Sequence, residues 1–141
     1  KKIFILGAGG VTPSIILALT KLGALEIILS NRTKEKAENL KKKHSNIKVI
    51  DWGKLPDFDM IVNATSVGLK GGDELPFNFE NFKNKLFYDV IYNPPNTKFL
   101  AKAKQLGNRT ENGKMMFIYQ AQLSFKIWHN ILPKINENLL N

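Results

Sequence analysis

The chain opens on four consecutive apolar residues, Ile3-Phe4-Ile5-Leu6, which stop at Gly7. A run without polar alternation is the pattern of a strand buried on both faces, as at the centre of a parallel sheet. From Val11 to Leu22 the apolar positions recur at helical spacing. Pro13 is acceptable there, because a first-turn N–H has no partner within the helix. "EIILS" (26–30) predicts a second buried strand, "KEKAENLKKKH" (34–44) an amphipathic helix, and "IKVIDW" (47–52) a third strand. Strand and helix alternate, so the fold class is α/β: a doubly wound, open parallel sheet with helices on both faces.

The rest of the pattern is less regular. "DMIVNAT" (59–65) and "LFYDVIY" (86–92) predict further strands, and the glycine-rich, then polar stretch between them reads as loop. "NTKFLAKAKQLG" (96–107) predicts a helix closed by Gly107. A long helix over 113–132, apolar on much of its circumference, ends before Pro133. It is too apolar to be a fully exposed element, so one face is expected to meet a partner surface. No repeat, low-complexity tract or linker divides residues 1–141, which read as a single domain. The abrupt start, without initiator Met or lead-in, makes excision from a two-domain enzyme the expectation.

Composition narrows the function classes. No apolar run approaches the ~20 residues of a membrane span, and no signal-peptide pattern precedes the first strand. The expected location is the cytoplasm, with no membrane partner. The absence of cysteine excludes disulfides and thiolate metal sites, and no metal site is expected. A net charge of +9 raises nucleic-acid binding, but the lysines are scattered and no aromatic residues interleave with the run "LKKKH" (40–44). Anionic small molecules are the better match, and no nucleic-acid partner is expected.

Gly7-Ala8-Gly9-Gly10-Val11-Thr12 supplies the specific chemistry. It follows a buried strand and opens a helix, and it reads G-x-G-x-x-T where the dinucleotide fingerprint ends in Gly or Ala. The first glycine permits the tight turn, and the second lets a pyrophosphate approach backbone N–H groups at the positive end of the helix dipole. About 20 residues on, an acid would hold the ribose 2′-hydroxyl of NAD. That place is taken by Asn31-Arg32-Thr33, with Lys36 one turn along the next helix. Glu26 opens the second strand rather than closing it. Guanidinium and ammonium suit the additional 2′-phosphate of NADP, and an anion there relieves two cations at a helix N-terminus. The tripeptide "NRT" recurs at 108–110 without following a second strand, so position rather than spelling carries the argument.

Several stretches in order resemble shikimate dehydrogenase, in its C-terminal NADP-binding domain: "GAGGV" (7–11), "NRTKEK" (31–36), "IVNATSVGL" (61–69), "YDVIYNPPNTKFL" (88–100) and "NGKMMFIYQAQLSFKIW" (112–128). The resemblance implies a Rossmann-type domain that binds NADP(H). It implies Gly7, Ala8, Gly9, Gly10 and Val11 on the pyrophosphate, and Asn31, Arg32, Thr33 and Lys36 on the 2′-phosphate. Thr65 and Ser66 would line the cofactor's path, and Val90 and Gly113 would lie near the nicotinamide. Tyr92 and Gln120 would reach shikimate or 3-dehydroshikimate, a small-molecule substrate shared with a missing N-terminal domain. The family's catalytic Lys and Asp belong to that domain, so no catalytic residue is expected in this chain. His44 and His129 are poorly placed, and Asp89 reads as structural. The 113–132 helix would contact the missing domain, and the assemblies expected are a homodimer of the parent or association through the exposed apolar face of that helix. The alternatives are a quinate/shikimate enzyme with relaxed NAD/NADP use and a non-catalytic nucleotide-binding module.

Overall fold

The computed structural model describes residues 1–70 and 72–136. Gly71, inside the expected loop, and residues 137–141 of the expected domain lie outside the described residues. The chain forms β1 (Lys2–Leu6), α1 (Thr12–Lys21), β2 (Glu26–Ser30), α2 (Lys34–Lys43), β3 (Ile47–Ile50), β4 (Met60–Asn63), β5 (Leu86–Asp89), α3 (Lys98–Gln105), β6 (Arg109–Glu111) and α4 (Lys114–His129). The strands lie in the order β3-β2-β1-β4-β5-β6, and every pairing is parallel. This is the doubly wound sheet that the alternation predicts. Strand order reverses between β1 and β4, and in such sheets ligands bind in the crevice at the carboxyl ends beside that reversal.

Alternation along β1 sorts the core into two layers. Ile3 and Ile5 face Ile16 of α1 and Ala37 of α2, while Phe4 and Leu6 join Phe99, Leu100 and Ala103 of α3 on the opposite face. Between β4 and β5 no helix forms among the described residues; Phe77 and Phe79 of that connection cover the second layer instead. Phe79 meets Phe87 and Phe99 edge-on, with centroids 5.2 and 5.8 Å apart. Such tilted contacts add to area burial.

Several boundaries differ from the sequence reading. β3 ends at Ile50, because Asp51–Lys54 make a turn in which Lys54 N–H donates to the Asp51 carbonyl (3.2 Å) and Gly53 takes φ +93°. β4 and β5 stop at Asn63 and Asp89, whose side chains bond the backbone beyond them. β6, absent from the sequence reading, includes part of the second "NRT". α4 ends at Asn130, in the left-handed region at φ +53°, before Pro133 is reached. Ile118 is the one buried residue of α4, and Phe117, Leu123, Ile127 and Trp128 are exposed.

Candidate functional site

At the carboxyl end of β1 the chain turns at Gly7, with φ +103°. A Cβ there would lie 2.6 Å from the Ala64 carbonyl oxygen at the end of β4, so both the backbone angle and the close approach require glycine. Thr12 gives the departure from the fingerprint a reason. Its buried hydroxyl donates to the Gly7 carbonyl at 2.9 Å and ties the first helical turn to the strand end. Gly9 and Gly10 are exposed, and a Cβ on Gly10 would meet nothing within 4 Å. α1 begins at the Val11 cap without a side-chain cap or an acid in its first turn. Thr12 N–H donates to the Gly9 carbonyl (3.2 Å) and Pro13 has no N–H, so what α1 offers an anion is chiefly the positive end of its dipole.

The end of β2 is fastened to this turn. Ala8 N–H donates to Asn31 Oδ1 (3.0 Å), and Asn31 Nδ2 donates to the Thr33 carbonyl (2.7 Å). Asn31 thus holds the glycine turn and the following segment together. Arg32, Thr33 and Lys36 are exposed at the start of α2, and neither Arg32 nor Lys36 has an acidic partner among the described residues. Lys34, by contrast, is bound to Asp51 at 2.5 Å.

A cleft of about 560 Å³ joins these parts. Gly7, Ala8 and Gly9 line one stretch, Asn31, Arg32, Thr33 and Lys36 another, and Thr65 and Ser66 a third. Gly10 and Val11 belong to the same turn and helix start but do not line the cleft. Trp52 and Asp73 also line it and were missed by sequence reasoning. For Trp52 a signal existed: an aromatic residue directly beyond the third parallel strand.

Beneath Thr65 lies a buried polar network. Asn63 Oδ1 accepts from Thr65 N–H (3.1 Å) and the Thr65 hydroxyl (2.7 Å), and Val67 N–H donates back to that hydroxyl (3.1 Å). Asn63 Nδ2 donates to Asp89 Oδ1 (3.2 Å), which also accepts from Ile91 N–H (3.0 Å). The Thr97 hydroxyl donates to Asp89 Oδ2 (2.7 Å) and accepts from Leu100 N–H as the cap of α3. Burial pushes the Asp89 carboxyl above its ordinary value, and the three hydrogen bonds oppose that shift. Asp89 therefore ties the loop after β4 to the loop after β5.

Val90, Gly113, Tyr92 and Gln120 form a second group outside the cleft lining. A Cβ on Gly113 would fall 2.0 Å from the Val90 carbonyl oxygen, so α4 can start against β5 only at a glycine. Tyr92 stacks on Phe117 of α4, centroids 4.7 Å apart and 21° between planes. Gln120 is exposed one turn further along the same helix. His44 ends α2 opposite to Arg32 and Lys36, and His129 ends α4 against Phe125. No group of three or more His, Cys, Asp or Glu placed to hold a metal occurs among the described residues, and no described helix is long and apolar enough to cross a membrane.

Comparison with known proteins places this geometry in context. Residues 1–69 match the family model described as shikimate / quinate 5-dehydrogenase. Over its whole length the chain is 57% identical to the shikimate dehydrogenase (NADP(+)) of Pelagibacter ubique, spanning 54% of that protein. The crystal structure of the Thermus thermophilus shikimate 5-dehydrogenase in complex with NADP(H) and shikimate is 32% identical, with a TM-score of 0.81 over 94% of this chain and 50% of that one. The ligand-free 5-ketofructose reductase of Gluconobacter is 31% identical, with a TM-score of 0.87 over 99% of this chain and 54% of that one. The chain spans about half the length of the relatives it matches.

Proposed function

We propose that this chain, whose residues 1–69 match the shikimate / quinate 5-dehydrogenase model, belongs to that family and is the NADP(H)-binding half of a shikimate dehydrogenase. The parent activity is NADPH-dependent reduction of 3-dehydroshikimate to shikimate. One observation carries the choice of cofactor: the cleft wall after β2 holds two cations without acidic partners among the described residues, Arg32 and Lys36, where an NAD site would hold an acid.

The residues present suit the group. Open space over Gly10, and only the Ala64 carbonyl oxygen 4.0 Å from a Cβ on Gly9, admits a pyrophosphate to the uncapped start of α1 at Val11. Asn31 keeps that turn in register with Arg32, Thr33 and Lys36, which hold the 2′-phosphate. Thr65 and Ser66, on the loop fixed by Asn63, guide the dinucleotide towards β5. Val90 and Gly113 flank the nicotinamide, which supplies the hydride when the cofactor is bound. Tyr92 and Gln120 reach the substrate from this side, and proton transfer falls to Lys and Asp side chains of the other half. The apolar side of α4 is the surface which that half covers.

Titration of the chain with NADPH and NADH by calorimetry tests the reading. NADPH is expected to bind at least about tenfold more tightly, since charge-assisted bonds to a phosphate are worth roughly 1.5–3 kcal/mol each. Arg32→Gln should remove most of that preference. Equal affinities for the two cofactors in the unaltered chain would overturn it.

A further inference from the structure

Trp52 is an unusual residue to find fixed at the rim of an anion-binding cleft. It is half-buried and occupies the turn after β3, closed by the Lys54 N–H bond to the Asp51 carbonyl. That turn is anchored from outside, because Asp51 binds Lys34 at the start of α2 (2.5 Å) and Lys54 (3.3 Å). The indole ring itself is held edge-on by Phe77, centroids 5.2 Å apart at 73°. Backbone, ion pairs and ring contact therefore all restrain one aromatic side chain that still lines the cleft beside Arg32, Thr33 and Lys36. Among the described residues it is the only aromatic side chain in that lining.

We propose that the Trp52 indole is the wall against which the adenine base of the bound dinucleotide rests. The inference builds on the NADP reading of the cleft and extends it to a residue with no assigned role. The 2′-phosphate and the base are carried by one ribose, so a phosphate held by Arg32 and Lys36 leaves the base within a few ångströms of the same wall. A purine needs an apolar or aromatic surface there, and the neighbouring cleft residues on that side are charged or polar. Stacking on an aromatic ring depends on the π-face alone, so it supplies affinity without demanding hydrogen-bond partners for the base. A ring already fixed by Phe77 and by the Asp51 turn also loses little freedom on binding.

The chain contains two tryptophans, so Trp128→Phe leaves Trp52 as the sole indole emitter. In that background, Trp52 emission is followed during titration with NADP+, with 2′,5′-ADP (adenine but no nicotinamide) and with nicotinamide mononucleotide (the converse), alongside calorimetry. NADP+ and 2′,5′-ADP should quench the emission saturably, and nicotinamide mononucleotide should not. Trp52→Ala should weaken 2′,5′-ADP binding by about tenfold or more, and Trp52→Phe should retain most of the affinity. Calorimetric binding of 2′,5′-ADP with unchanged Trp52 emission would overturn the proposal, even if Trp52→Ala failed to fold. So would a Trp52→Ala affinity within twofold of the parent. If neither NADP+ nor 2′,5′-ADP gave any heat with the unaltered chain, the cofactor reading would fall first, and this inference with it.

Discussion

Thr12 shows how a single residue can look like a defect and act as a fastening. The fingerprint favours a small residue there, yet the Thr12 hydroxyl is buried and donates to the Gly7 carbonyl. Thr12→Val keeps the shape and leaves that carbonyl without its donor, so it should lower stability by about 1–3 kcal/mol in urea denaturation. Asp89 makes the second residue-scale prediction. Burial raises its folded-state pKa above the ordinary 3.8, so the folded state holds that proton to higher pH than the unfolded state does. The contribution is fully present below 3.8 and is lost as pH rises through the folded value. Asp51 and Asp59, both lowered, act in the opposite direction: their contributions are present above the ordinary value and fade as the folded carboxyls protonate. Subtracting the stability curve of Asp89→Asn from that of the parent isolates the Asp89 component, which should fall as pH rises from about 4. A difference that rose with pH instead would mean the hydrogen bonds outweigh burial. The cleft residues were legible wherever charge or glycine carried the signal. Trp52 carried only the weak signal of an aromatic residue beyond the third strand, and Asp73 carried none, because its place in the cleft depends on a connection with no periodic pattern.

At the scale of elements, the strong periodic segments were readable and the polar edge was not. β1 and β2 are apolar runs buried on both faces, which a parallel sheet requires. β6 is Arg-Thr-Glu, three residues at the sheet's edge with two of them exposed, so no hydrophobic signal marks it. Its strand character comes from pairing with Leu86, Phe87 and Tyr88 of β5, a long-range contact. α4 was legible in the opposite sense, as a helix with more apolar surface than the sheet covers. Leu123 and Ile127 are 55% and 80% exposed, so they lie outside both core layers. Replacing both with Gln should leave the urea midpoint nearly unchanged, within about 0.5 kcal/mol, while reducing the binding of an apolar dye. A loss of several kcal/mol would instead mean that α4 packs its apolar side inward in solution. Phe79→Ala, in the connection between β4 and β5, should by contrast cost about 3–5 kcal/mol, since its ring is buried among Phe77, Phe87 and Phe99.

The whole molecule combines a net charge of +9 with a cleft lined by Arg32 and Lys36 as well as Asp73, proposed above as an anion site. On the proposed reading, general attraction draws an anionic ligand to the surface, and Arg32, Lys36 and the start of α1 select where it stays. NADPH affinity should therefore fall with added salt while the preference over NADH persists, because close contacts are screened less than the overall field. Catalysis makes a stricter demand. Hydride transfer needs cofactor, substrate and a proton acceptor held together, and loss of that alignment costs many orders of magnitude. On the β5–α4 side the chain offers Tyr92 on Phe117 and an exposed Gln120, while Asp89 at the end of β5 is buried and committed to three hydrogen bonds. The proposed division of labour therefore gives the proton of the substrate hydroxyl to the other half. Incubated with shikimate and NADP+, the 141-residue chain should form no NADPH detectable at 340 nm, although calorimetry shows the cofactor bound. Steady NADPH formation at a rate proportional to chain concentration would require an acceptor within this half, and would overturn the division of labour proposed for the two halves.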